Sequence, residues 1–336
     1  MPQTLANSLR LYALGKRDLL SQADCYWRGL HVERDENLAL ELCQEAAHLQ
    51  QPGASFRLAQ YYQHMNQYDQ ALEYYYQAYQ EGNLLAKAAV QSLLPLKKVE
   101  ANAKVYLARI LEQEKKWSEA QELYQQAIGL GFTAALYYLA NLLREDRYEE
   151  QAPGATLVIA KNNDEALSFY KEAAALGNLE ALMALRKEAS SNAKAALFAA
   201  QIYELTTFDS ALDAMHFYNL ASDLGNFSAS FRLAQIYETG QLGIASNLAT
   251  AVNYYFLTIR QGSQEGLPSL LACIRESKEA ELEFKLAEFY EQFFHDKLSA
   301  LVWYKQSFDH DYRTALKSIE DIAVTGAHWA YQAACL

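Results

Sequence analysis

A chain that repeats itself at fixed spacing folds as an array, and two heptapeptides 175 positions apart in this 336-residue sequence are nearly identical. They are Phe56-Arg57-Leu58-Ala59-Gln60-Tyr61-Tyr62 and Phe231-Arg232-Leu233-Ala234-Gln235-Ile236-Tyr237, with a third relative in Phe284-Lys285-Leu286-Ala287-Glu288-Phe289-Tyr290. A second template recurs seven times. It opens on Ala39, Ala71, Ala120, Ala166, Ala214, Ala251 and Ala300. Three and four residues on stand the pairs Leu42-Cys43, Tyr74-Tyr75, Leu123-Tyr124, Phe169-Tyr170, Phe217-Tyr218, Tyr254-Tyr255 and Trp303-Tyr304. A small residue follows at +7 (Ala46, Ala78, Ala127, Ala173, Ala221, Thr258, Ser307), and Gly82, Gly131, Gly177, Gly225 and Gly262 stand at +11, with Gln50 and Asp311 in the other two copies.

Spacings of 3, 4, 7 and 11 share one face of a helix, and glycine at its end supplies the left-handed residue that stops it. We term this the B helix. Four residues past each +11 position a new helix is expected, at Ala54, Ala86, Ala135, Ala181, Ala229, Gly266 and Ala315. Those at Ala54, Ala135 and Ala229 run directly into B helices. Those at Ala86, Ala181 and Gly266 run into a further A-type helix near Ala103, Ala195 and Leu282. The period is therefore a double repeat of about five helices, opening at Ala54, Ala135 and Ala229 and truncated at Ala315, with steps of 81, 94 and 86 residues. The expected organisation is capping helices and a first partial repeat over 1–53, the repeat array over 54–314, and capping helices over 315–336.

The short repeat resembles the Sel1-like branch of the tetratricopeptide superfamily. The match is closest over Ala229 to Gly262, where Leu233-Ala234, Tyr237, Gly240, Gly243, Ala251, Tyr254-Tyr255 and Gly262 follow the Sel1 pattern of a glycine-containing loop between paired helices. The resemblance implies an all-α, right-handed α-solenoid of antiparallel helix pairs. It also implies a role as a bacterial scaffold or adaptor; a secreted virulence effector contacting host proteins, or the regulatory subunit of an enzyme, is the alternative. One Sel1 branch closes each repeat with a disulfide; the irregular Cys25, Cys43, Cys273 and Cys335 depart from it and read as small buried thiols.

In each A-type helix, positions 0, +4, +5 and +8 cluster on one side and are small or apolar. Position +6 points away and is polar throughout: Gln60, Arg109, Asn141, Gln201, Gln235 and Glu288. Position +3 flanks it with Arg57, Tyr106, Tyr138, Phe198, Arg232 and Lys285. In tetratricopeptide-like stacks the A helices line the concave groove. These twelve residues are therefore the candidate interface for a protein or peptide partner, the alternative being a solvated face with some packing between repeats. The 24 tyrosines are expected mainly in the core with hydroxyls reaching outward. An insertion over 147–162 lengthens one A-to-B turn, and its Thr156-Leu157-Val158-Ile159 run suits an extended conformation.

Other classes fare poorly. With 41 acidic against 29 basic residues and a net charge of −12, neither nucleic acid nor an anionic membrane is an expected partner, although a partner segment of basic character would suit this balance. The longest apolar run, Ala195 to Ala200, is far too short to span a bilayer, and the first twenty residues do not read as a signal peptide, so a cytoplasmic location is expected, with export by another route left open. No HExxH, GxSxG, Walker or GxGxxG motif occurs, and the histidines fall at no metal-ligand spacing. No catalytic residue, metal or cofactor is expected; the oligomeric state is left open.

Overall fold

The computed structural model describes residues 18–30, 32–151, 154–205 and 210–335. Residues 1–17 of the segment read above for a signal peptide, and His31, lie outside them. The chain forms two compact units that divide between Asn178 and Leu179. Unit 1 contains α1 (Leu19–Arg28), α2 (Glu36–His48), α3 (Ala54–His64), α4 (Tyr68–Gln80), α5 (Leu85–Leu93), α6 (Glu100–Gln113), α7 (Trp117–Gly129), α8 (Ala134–Leu142), β1 (Arg147–Gln151), β2 (Gly154–Ile159) and α9 (Asn163–Ala175). Unit 2 contains α10 (Leu179–Ala189), α11 (Ala193–Leu205), α12 (Ala211–Asp223), α13 (Phe227–Thr239), α14 (Leu248–Arg260), α15 (Gly266–Ser277), α16 (Ala280–Gln292), α17 (Lys297–Asp309), α18 (Thr314–Val324) and α19 (Ala327–Cys335). Within each unit, helices next in sequence pack together as pairs, so each buries its apolar stripe against near neighbours, as repeat arrays do. The five-helix period is present as α3–α7, α8–α12 and α13–α17.

All seven B helices are 13 residues long, beginning three residues before the template alanine. That alanine and the small +7 residue are almost fully buried in every copy. Glycine at +11 takes a left-handed backbone, with φ of 92° at Gly82 and 98° at Gly262. Where the sequence departs, Gln50 (φ 54°) and Asp311 (φ 70°) adopt the same conformation despite the strain.

The paired residues of the B helices do different work. Only the second is buried without exception, and in six copies it is tyrosine. A buried phenol needs a hydrogen-bond partner, and each finds one on the preceding A helix rather than reaching outward. Tyr75 donates to Gln63 (2.5 Å), Tyr124 to Glu112 (2.7 Å), Tyr255 to Glu238 (2.5 Å), Tyr304 to Glu291 (3.0 Å) and Tyr218 to Glu204. All five acceptors stand at +9, counted from the opening residues Ala54, Ala103, Ala195, Ala229 and Leu282. After α8 that position falls on Arg144, just past the end of the helix and unable to accept, and Tyr170 donates instead to Asn141 (2.6 Å). Burial pushes the Tyr75 phenol up to about 12 and those of Tyr124, Tyr218, Tyr255 and Tyr304 further, so these hydroxyls stay donors at any physiological pH.

The A-to-B turns share a backbone contact. The carbonyl at +8 of the A helix accepts the N–H of the residue that opens the B helix: Gln67 to Tyr62 (2.9 Å), Lys116 to Leu111 (2.9 Å), Asn162 to Leu143 (2.8 Å), Asn247 to Tyr237 (2.7 Å) and Asp296 to Tyr290 (3.0 Å). At Tyr203 the Ser210 hydroxyl supplies the donor (2.8 Å). Between Leu143 and Asn162 the insertion folds as an antiparallel hairpin, with Tyr148 opposite Leu157 and a register shift next to Arg147. It is fixed to α7: the Trp117 indole N–H donates to the Tyr148 carbonyl (3.1 Å), and Glu149 accepts from the Ser118 N–H (2.7 Å). Glu149 thus caps a helix whose own N-cap, Lys116, makes no side-chain cap.

Candidate partner-binding surface

All twelve expected column residues are half-buried. The +6 positions do not point freely to solvent as a lone helix would have them. Their roles diverge. Arg57 pairs with Asp24 of α1 (3.1 Å) and donates to Gln60 (3.1 Å), while Tyr61 also donates to Asp24 (2.6 Å). Arg232 repeats the arrangement in unit 2. It grips Glu204 of α11 through Nε (3.0 Å) and Nη2, and donates to Gln235 (3.3 Å) and Gln241 (2.7 Å). These four column residues, like Asn141, are engaged inside the protein. Lys194 lies 5.7 Å above the Phe198 ring, and the Gln201 side-chain oxygen is buried with no hydrogen-bond partner among the described residues.

Arg109 is placed differently. Its guanidinium carbon sits 4.0 Å from the Tyr76 ring centre, 5.0 Å from Tyr138 and 5.3 Å from Tyr106, so that α4, α6 and α8 each contribute an aromatic wall. Tyr138 also stacks on Tyr124 (5.8 Å), and Gln113 donates to the Tyr76 hydroxyl (3.0 Å). The helical repeat thus gathers three column residues, Tyr106, Arg109 and Tyr138, into one cluster.

In unit 2, Lys285 and Glu288 line an open hollow of about 410 Å³ between α14 and α16. Its walls are Asn253, Phe256, Leu257 and Arg260 on one side and Lys285, Glu288, Phe289 and Gln292 on the other. Each set has the spacing i, i+3, i+4, i+7 that puts side chains on one helix face. Phe256 stacks on Phe289 (4.5 Å) to make an apolar floor, and Arg260 lies over the same ring (5.5 Å). Phe293 and Phe294 extend the aromatic surface at 41% and 40% exposure. Lys285 pairs with Glu281 (2.8 Å), and burial, reinforced by Glu291, holds the Glu288 carboxyl above the usual range. The α14 wall lies outside the sequence expectation, which places the lining on A-type helices alone; its signal in the sequence is the spacing of Asn253, Phe256 and Arg260 off the B-helix core face.

Among the described residues no group of three or more His, Cys, Asp or Glu gathers as a metal site, and no helix is long and apolar enough to cross a membrane.

Paired helices in series, joined by glycine-terminated turns and carrying polar and aromatic side chains along one register, define a tetratricopeptide-like repeat protein. The chain belongs to the Sel1 repeat family, whose description matches residues 11–50, 52–83, 133–178, 210–226 and 228–263. Repeats of this kind are in general protein–protein interaction scaffolds and typically not enzymes. Among solved structures, the chain is similar to c5321, a protective antigen of uropathogenic Escherichia coli strains with an SLR fold, at 17% identity over 90% of this chain and 79% of that one (TM-score 0.25). A Sel1 repeat protein from Oxalobacter formigenes matches at 18% identity over 73% and 88% (TM-score 0.23). Human IFIT1, solved as a dimer with m7Gppp-AAAA, matches at 13% over 86% and 78% (TM-score 0.22). Comparison with curated proteins gives no match.

Proposed function

We propose that the chain is an adaptor that holds a segment of a protein partner in a groove, using A-helix column residues such as Lys285 and Glu288 that line open surface in unit 2. The hollow between α14 and α16 is the observation that carries this reading. It offers an apolar floor of stacked phenylalanines beside two cations, one carboxyl and two amides, and this mixture buries a partner's side chains while satisfying its backbone. Helices already packed lose little further freedom on binding, which favours affinity from a modest surface. A bacterial setting and a secreted virulence role remain readings of the family resemblance alone.

The test is affinity capture from lysate of the source cells, with a triple variant Arg260→Ala, Lys285→Ala and Glu288→Ala. All three side chains stand at the hollow, so thermal unfolding should stay close to that of the parent while a specific partner is lost. Capture undiminished by the triple change sinks the assignment of this surface.

A further inference from the structure

The column arginines are of two kinds. Arg57 and Arg232 each hold a carboxylate and at least one amide from within the chain. Arg109 has neither. Among the described residues no carboxylate lies within 4.0 Å of it and none of its N–H groups meets an acceptor; its guanidinium lies against the rings of Tyr76, Tyr106 and Tyr138. The acids around it are otherwise occupied or more distant. Glu112, three residues on in α6, takes the Tyr124 hydroxyl (2.7 Å), and Asp69 and Glu73 of α4 act on Tyr106 through space. A guanidinium held by aromatic walls keeps its hydrogen-bonding capacity, and a planar carboxylate is the group that matches its fork.

We propose that Arg109 anchors one carboxylate side chain of the bound protein segment, with Tyr76, Tyr106 and Tyr138 enclosing the neighbouring methylenes. The proposal rests on the adaptor reading and names the chemistry that reading would meet in unit 1. Within this chain the column arginines at +3 take a carboxylate twice, Asp24 at Arg57 and Glu204 at Arg232. A polyanion fits less well, since successive phosphates would approach Asp69, Glu73 and Glu112 on a chain of net charge −12. A single acidic residue in a neutral or basic segment avoids that repulsion.

Two fluorescein-labelled decapeptide pools test this, with randomised neutral and basic flanks and either glutamate or glutamine fixed at the centre. The full chain should retain the glutamate pool about tenfold better than the glutamine pool, the discrimination of one charge-assisted pair. Arg109→Gln should abolish that preference while leaving retention as such, which the α14–α16 hollow supports independently. Arg109→Lys, keeping a point charge, should preserve part of it. Unfolding midpoints for both variants separate loss of the anchor from loss of fold. Equal retention of the two pools by the parent overturns the anchor and leaves the adaptor reading standing; retention of neither overturns both. Displacement of the glutamate pool by octauridylate at lower concentration than by a glutamate peptide would make the site a nucleic-acid contact and also overturn the proposal.

Discussion

Glu112 in unit 1 and Glu204 in unit 2 occupy the same register, nine residues past the opening residues Ala103 and Ala195 of the A-type template, and each accepts the phenol of the following B helix. Their titration nonetheless moves in opposite directions. Burial pushes both upward. At Glu204 the hydrogen bonds from Arg232 and Tyr218 outweigh it, and the carboxyl sits below its usual range. At Glu112 the Tyr124 hydrogen bond and the more distant charges of Arg147 and Arg109 do not, and the carboxyl sits above it. One repeat geometry therefore yields a stabilising acid where a cation touches it and a destabilising one where the cation is turned to aromatic rings instead.

The sharpest way to break this comparison is Arg232→Met. It leaves Glu204 largely enclosed without its cation and should lower unfolding free energy by about 2 kcal/mol, allowing for residual solvent access. Chemical denaturation of the variant would show it; a loss no larger than that of an exposed pair would mean that Arg232 is not what sustains Glu204. Amide replacement of the acids comes next. Glu204→Gln should destabilise by about 1 kcal/mol, and Glu112→Gln should stabilise by roughly 0.5 kcal/mol, since it keeps an acceptor for Tyr124 and removes a poorly compensated charge. Gln63 already serves Tyr75 in this way. The same sign in both variants would refute the contrast. Arg109→Met should then cost only about 0.5 kcal/mol, as cation–π contact without a salt bridge would suggest.

Acid titration of these variants provides the finest discrimination. A carboxyl whose folded pKa is raised favours the folded state only when protonated, so the advantage of Glu112→Gln over the parent should shrink as pH falls through the region above the usual carboxylate value. A carboxyl whose folded pKa is lowered contributes stability above the usual value and loses it below. The deficit of Glu204→Gln should therefore persist to lower pH before closing. Denaturant midpoints collected between about pH 7 and 3 would order the two events, and a reversed order would contradict the assignment.

Much of the helical framework could be read directly. The Ala, aromatic and Gly spacings place every B helix, and the doubling at Ala86, Ala181 and Gly266 predicts α5, α10 and α15. The internal hydrogen bonds were less visible, because the acceptors Gln63, Glu112, Glu204, Glu238 and Glu291 form a column that periodicity marks only as polar. Whether a polar residue faces solvent, a tyrosine or an arginine depends on the next helix, which a single-helix projection leaves out. For the same reason the sequence shows Arg57 and Arg232 as candidate interface residues no different from Arg109, and gives no sign that α14 lines a hollow with Lys285 and Glu288. The extended character of Thr156–Ile159 was legible, whereas the docking of Glu149 onto α7 depends on a contact 31 residues away.

The backbone link from the +8 carbonyl to the opening residue of the B helix spans four intervening residues between Tyr62 and Gln67 and eighteen between Leu143 and Asn162. Each such junction works as a splice point: sequence can be lengthened or exchanged there while the helices downstream keep their phase. The hairpin is one such graft already in place, and the junction between Tyr62 and Gln67 is where an epitope or a second recognition element would be inserted with least disturbance to the rest.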